Sequence, residues 1–252
     1  MVRGTAFVSW QQRWLDRFYD RTKGWLSGTE RFHEMIAERV PRGGKILEIG
    51  AGPSNETSRF LATLGEVHGL DPDPSVADND ALAGWTVLEN DRFPFAEATF
   101  ETCVSNYVLE HIERAQDHLR EISRILAPGG AYLFRTPNLH HYVSIVSRLT
   151  PHRFHLMVAN RMRDMPEGSH DPYPTVYRLN TRRSIRRAAR NAGLVVERLS
   201  MIESEPMYGL SSRALFITFM TYERIVNSSE IFAGLRVNII GSLAKNGPVR
   251  TV

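Results

Sequence analysis

The stretch Leu47 to Asn55, LEIGAGPSN, ends an apolar run on two glycines spaced two residues apart. Asp71 closes a second apolar run about twenty residues later, the separation at which a strand-end acid meets a ribose. Gly50 and Gly52 permit the tight turn and the close backbone approach that a nucleoside ligand needs. A dinucleotide site adds a third glycine, so that the next helix can pack beside a pyrophosphate held on its N-terminus. Here Asn55 stands at that place, and Pro53 removes one backbone donor that a phosphate would use. Asp71 can accept hydrogen bonds from both ribose hydroxyls, or, standing before Pro72, can simply open a turn. Together these residues argue for a nucleoside without a pyrophosphate, of which S-adenosylmethionine is the common one.

Positioning such residues requires strands that end at one edge of a sheet. Short apolar runs alternate with helical patterns: KILEIG, then SNETSRFLATLG; VHGLDPD; WTVLEND; ETCVSNY; the amphipathic EHIERAQDHLREISRILAPGG; and AYLFRTPN. Alternation of this kind predicts an α/β fold, a doubly wound and mostly parallel seven-stranded sheet. The chain reads as a single domain over 1–252, with an N-terminal helical cap over 1–40 and a cofactor-binding core over 43–138. A substrate-side insertion follows over 139–180, and 181–252 completes the sheet. In the cap, Trp10, Trp14, Phe18 and Tyr19 recur near helical spacing, either as core or as a lid. Near the end, RALFITFMTYERIV predicts a helix buried against the sheet, with a membrane or partner contact as the alternative. LRVNIIGSLAK predicts a last edge strand.

In this order the motifs resemble those of class I S-adenosylmethionine-dependent methyltransferases over Lys45 to Asn138. LEIGAGPSN resembles the first motif, VHGLDPD the second, ENDRFPFAEATFE the adenine loop, and SNYVLEHI the fourth-strand motif. The resemblance implies Glu48 as the acid that organises the loop and reaches toward the methionine amino group. It implies that Gly50, Ala51 and Gly52 pass their backbone along the cofactor and that Asp71, with Pro72 after it, takes the ribose. It implies Asp91 on the adenine amino group, with Glu89 or Asn90 as substitutes, and the Arg92 backbone near the ring. Asn106 and Tyr107 would close the strand under the methionine part. In quinone O-methyltransferases that share the LEH stretch, an acid stands where this chain has Tyr107, so no metal is expected.

Methyl transfer to a hydroxyl needs alignment and removal of one proton, for which histidine is suited. The base candidates are His140 and His141, directly after the fifth strand, and His111 in LEHI. His152, His155 and His170 lie farther into the insertion.

The tail VYRLNTRRSIRRAARNAGLVVERLSMIESEP has a looser resemblance to methyltransferases of bacterial cell-surface glycan clusters. Ten arginines and no lysine lie between His140 and Arg190, against three acids. This excess suits a small-molecule or glycan acceptor bearing phosphate or carboxylate, a peripheral membrane contact, or only a solvated helix face. The expected reaction is O-methylation of a sugar, glycolipid or related small molecule. C-methylation of a quinone or polyketide-like molecule is one alternative, and a non-catalytic S-adenosylmethionine-binding partner protein is another.

A net charge of only +3 and the lack of a recognisable RNA-binding appendage argue against nucleic acid. The single cysteine, Cys103, cannot form an internal disulfide. With no secretory signal pattern and no run long enough to span a bilayer, the expected location is cytoplasmic.

Overall fold

The computed structural model describes residues 9–149 and 173–246. Seven strands form one sheet: β1 (Lys45–Ile49), β2 (Glu66–Asp71), β3 (Gly84–Val87), β4 (Phe100–Asn106), β5 (Leu126–Pro137), β6 (Leu194–Ile202) and β7 (Asn238–Lys245). Their order is β3-β2-β1-β4-β5-β7-β6. The first five are parallel, and β7 runs antiparallel to both β5 and β6. The expected doubly wound, mostly parallel sheet is therefore present, with strand order reversing between β1 and β4, where such folds open a ligand crevice.

The described residues contain seven α-helices: α1 (Trp10–Phe18), α2 (Gly28–Arg39), α3 (Glu56–Ala62), α4 (Ala115–Ile125), α5 (Tyr142–Leu149), α6 (Arg182–Asn191) and α7 (Arg213–Asn227). Side chains of a strand alternate between its two faces. Leu47 and Ile49 of β1 accordingly join α4 and α6 in one core. Ile46 joins α2 and α3 in the other, with Val104, Leu133 and Ile240. Glu48, Asn106 and Arg135 share the parity of that second face, at the carboxyl ends of three neighbouring strands.

Three expectations change. β7 is not an edge strand: it is inserted between β5 and β6, its first six residues are buried, and β6 takes the edge. Gly241 makes this packing possible, because a Cβ there would collide with the Phe134 ring. Helix α4 begins at Ala115, after a separate turn over Leu109–His111, and β5 already starts at Leu126, ahead of Pro-Gly-Gly. Helix α7 does not lie on the sheet. Its Phe216 packs in an aromatic cluster with Trp10, Trp14 and Tyr19, while Ile217 and Ile225 stay exposed. The N-terminal aromatics thus find their core against α7, around the buried Phe216. Among the described residues, no helix is long and apolar enough to cross a membrane.

Candidate active site

The turn after β1 is built from backbone conformation first. Gly50 and Gly52 have φ of 71° and 51°, in the left-handed region that side chains disfavour. At Gly50 a Cβ would also collide with Val108, whereas at Gly52 it would find nothing within 4 Å. The open side of the turn is thus at Gly52, where a ligand can lie against bare backbone. Ala51 between them is buried.

Asn55 has a positive role that its sequence position hid. It caps α3, its Oδ1 accepting from the backbone N–H groups of Thr57 at 2.8 Å and Ser58 at 3.0 Å. Its amide donates back to the Ala51 carbonyl at 2.8 Å and to Ser58 Oγ at 2.8 Å. Two of the donors that would cradle a pyrophosphate, the Thr57 and Ser58 N–H groups, are therefore spent inside the protein.

Asn79, overlooked in the sequence, completes the brace. Its amide donates to the Gly52 carbonyl at 3.2 Å and to Ser58 Oγ at 2.9 Å. Nothing in the turn-rich DPDPSVADND stretch marks a residue that reaches 27 positions back.

Asp71, at the end of β2, is buried; its Oδ2 accepts from Gly52 N–H at 2.9 Å and its Oδ1 from Asp73 N–H at 2.8 Å. Each carboxylate oxygen retains a lone pair for a ribose hydroxyl. Pro72 follows Asp71 into the helical turn Pro74–Asp78.

Glu48 lies beneath the turn, 3% exposed. Burial, opposed by a hydrogen bond from Ser58 and assisted by the nearby Asp71 charge, pushes its carboxyl up to about 7. Its Oε2 has no hydrogen-bond partner among the described residues. A buried acceptor without a donor is costly, and an ammonium group arriving over the turn would satisfy it.

Beside the expected adenine residue Asp91, a cavity of about 330 Å³ is lined by Leu88, Asp91, Phe93, Ile112 and the imidazoles of His111 and His118. Asp91 is exposed and pairs with Arg114 at 2.7 Å. A pair so open to water is worth at most about 1 kcal/mol, so a ligand can displace it. Arg92 is exposed and its backbone N–H is held by Asn90 Oδ1 at 3.0 Å, while Glu89 is exposed as well. Tyr173 closes the rim: its ring lies 6.2 Å from that of His111. Burial, then the charges of Asp71 and Asp73, raise its phenol.

At the end of β4, Asn106 donates to Thr57 Oγ1 at 3.0 Å and accepts from Arg135 Nε at 2.8 Å. Tyr107 adopts φ of 58°, a strained conformation for a residue with a Cβ. Its hydroxyl donates to Asn238 Oδ1 at 3.1 Å.

The three candidate histidines do not converge. His141 is 1% exposed, packed on the Tyr142 and Tyr222 rings. Its Nε2 lies 3.6 Å from Glu203 Oε2. Burial pulls its imidazole down to about 4 and pushes Glu203 up to about 8. So enclosed a ring cannot reach a bound acceptor, and this overturns the expectation that both residues after β5 face the cleft. His140 is exposed, with its backbone N–H tied to Asn138 Oδ1 at 3.2 Å. His111 hydrogen bonds through Nδ1 to the Pro174 carbonyl at 3.0 Å. A carbonyl can only accept, so the proton sits on Nδ1 and the lone pair on Nε2. His152, His155 and His170 lie outside the described residues. Among those described, no cluster of three or more metal-ligating side chains occurs.

The two-glycine turn, the spent helix donors and the unpartnered Glu48 together fit S-adenosylmethionine, a nucleoside with an ammonium group and no phosphate. Comparison with known proteins agrees. An uncharacterized methyltransferase of Geobacillus kaustophilus is 26% identical over 145 residues, 52% of this chain and 66% of that protein. A demethylmenaquinone methyltransferase of Tropheryma whipplei is 29% identical over 122 residues, 44% of this chain and 51% of the relative. The chain thus spans less than two thirds of the length of these curated relatives. An S-adenosylmethionine-dependent methyltransferase of Methanosarcina mazei has the same fold, with a TM-score of 0.56 over 84% of this chain and 97% of that one at 13% identity. Residues 16–199 match the family described as methyltransferase domain, and the chain belongs to that family.

Proposed function

We propose that this protein moves a methyl group from S-adenosylmethionine to a hydroxyl oxygen of a sugar, glycolipid or related small molecule that bears an anionic group. The observation that carries the cofactor half is the buried Glu48 carboxyl, unpartnered at Oε2 among the described residues, beneath a glycine turn whose following helix has its Thr57 and Ser58 N–H groups capped by Asn55. The sulfonium supplies an electrophilic methyl. As the new C–O bond forms the C–S bond breaks, its electron pair returns to sulfur, and the hydroxyl proton must pass to a base.

Within that reading, Asp71 holds the ribose, the Leu88–Phe93 cavity takes the base, and Glu48 meets the ammonium. His140 is the assigned proton acceptor, because it is exposed and follows the end of β5. His111, with its lone pair on Nε2, is the alternative base at the nucleoside rim. The locally basic sequence around the insertion supports an anionic acceptor, and the exposed Ile217, Ile225, Ile231 and Phe232 support a peripheral membrane contact, which co-sedimentation with vesicles would test.

The likeness to a demethylmenaquinone methyltransferase favours a second reading, C-methylation of a quinone-like ring, where the carbon is already nucleophilic and a base contributes less. Calorimetric titration with S-adenosylmethionine, S-adenosylhomocysteine and NAD, on wild type and Asp71→Ala, tests the cofactor. We expect micromolar binding of the first two, lost in the variant; binding of NAD instead would refute it. Turnover of candidate acceptors with radiolabelled methyl then separates the readings. For O-methylation, His140→Ala lowers turnover more than tenfold with cofactor affinity intact. Unchanged turnover removes His140 as base, and cofactor binding without turnover on any acceptor class favours a non-catalytic role.

A further inference from the structure

Arg135 near the end of β5 is 6% exposed, yet no carboxylate lies within 4.0 Å of its guanidinium among the described residues. Buried charges are normally paired, because desolvating one alone is expensive. The hydrogen bonds and ring contacts of this side chain are all with neutral groups. Nε donates to Asn106 at 2.8 Å and Nη1 to Thr29 Oγ1 at 3.1 Å. The Tyr107 ring covers one face at 4.4 Å and the Phe32 ring lies at 5.9 Å. Covering the face leaves the edge of the plane as the open direction, and that edge is where a carboxylate makes parallel hydrogen bonds. Among the described residues Nη2 has no hydrogen-bond partner.

The surroundings add to the positive field. Thr29 belongs to the first turn of α2, whose N-terminus carries partial positive charge. The acid in that turn, Glu30, is committed to the Ser27 backbone at 2.8 Å and to Arg21 at 3.6 Å. Two other acids feel the Arg135 charge, Glu110 and Glu205. Glu110 is engaged by Thr136 at 3.1 Å, burial pushes both carboxyls up, and neither forms an ion pair with the guanidinium within 4.0 Å. The strained φ of Tyr107 acquires a reason: it lays an aromatic ring over the guanidinium, in a position that a relaxed backbone would not give it.

We propose that Arg135 is the receptor for a ligand carboxylate at the methionine end of the cleft, the missing counter-ion of a pre-assembled site. This rests on the nucleoside reading above. The carboxylate has two sources, the amino-acid part of the cofactor or an anionic acceptor. The chain of contacts from Arg135 through Asn106 and Thr57 to His33, the last at 3.4 Å, keeps the guanidinium in place before either arrives.

The test titrates wild type, Arg135→Gln and Arg135→Lys with S-adenosylhomocysteine and with 5′-methylthioadenosine, the same nucleoside without the amino acid. If the cofactor carboxylate is the partner, Arg135→Gln weakens S-adenosylhomocysteine tenfold to a hundredfold, as loss of a charge-assisted contact should. Methylthioadenosine is then unaffected and Arg135→Lys is intermediate. If the acceptor is the source, both nucleosides bind the variants normally. Acetate, compared with chloride at equal ionic strength, then raises the melting temperature of the S-adenosylhomocysteine-saturated wild type and not that of Arg135→Gln. Equal weakening of both nucleosides with a lowered apo melting temperature would mark Arg135 as structural and overturn the proposal. So would the absence of any response to either probe. Failure of wild type to bind methylthioadenosine or S-adenosylhomocysteine would refute the nucleoside reading itself, a separable result.

Discussion

Replacing Glu48 by Gln isolates the charge on which the cofactor assignment depends. The folded-state carboxyl titrates at about 7, above an ordinary value of 4.5. Between these values the folded chain holds a proton that the unfolded chain has released, so stability falls as pH rises through the window. A gap of this size, at about 1.4 kcal/mol per unit, amounts to about 3 kcal/mol once pH exceeds the folded value. Glutamine keeps the shape and still accepts from Ser58, whose own oxygen is occupied by the Asn55 and Asn79 amides at 2.8 and 2.9 Å.

Glu48→Gln should therefore match wild type below about pH 4 and exceed it by about 3 kcal/mol above pH 8, roughly 6–12 °C in Tm for a chain of this size. Cofactor binding should move the opposite way. An ammonium group must meet an ionised Glu48, so wild-type affinity should climb as pH rises through about 7. Binding near that pH should release a proton, visible as a buffer-dependent heat in calorimetry. In the variant the proton release should disappear and affinity fall about tenfold to a hundredfold, the loss expected for one charge-assisted hydrogen bond. A variant destabilised equally at all pH values, or one that binds S-adenosylmethionine as wild type does, would refute the reasoning.

Two further substitutions examine the scaffold. Asn55→Ala removes the α3 cap and the brace to Ala51 together, and should cost about 1–2 kcal/mol in urea unfolding without creating affinity for NAD, because Pro53 and the turn geometry remain. Gly50→Ala combines a left-handed backbone with a collision at Val108 and should cost about 1–3 kcal/mol. The double variant with Val108→Ala should recover the steric part alone, a difference readable in a double-mutant cycle.

The nucleoside half of the site was legible in the sequence because its determinants are local. A left-handed turn needs glycine, a strand end needs a run of apolar residues before it, and Asp71 follows the loop at a separation fixed by one strand-helix-strand unit. Glu48 was expected from the resemblance of its motif, and only the structure showed it buried with Oε2 unpartnered among the described residues. What escaped the sequence depends on partners far along the chain. Asn55 looked like an omission and is a helix cap, a role defined by where the N–H groups of Thr57 and Ser58 point. His140 and His141 are neighbours in sequence, yet one is exposed and the other enclosed against Glu203, because adjacent residues leaving a strand diverge to opposite sides.

The position of β7 was equally invisible: its pattern is that of any apolar strand, and only the space left between β5 and β6, with Gly241 against Phe134, admits it to the interior. Arg135 shows the same division most clearly. Sequence alone determined that an arginine lies near the end of an apolar strand, a place where most side chains are buried. Tertiary structure decided that the groups in direct contact with it would be an amide, a hydroxyl and two aromatic rings, with Glu110 and Glu205 near enough to feel its charge but not paired with it. Backbone conformation is written into a few adjacent residues, whereas the pairing of buried charges is settled only when distant segments pack together.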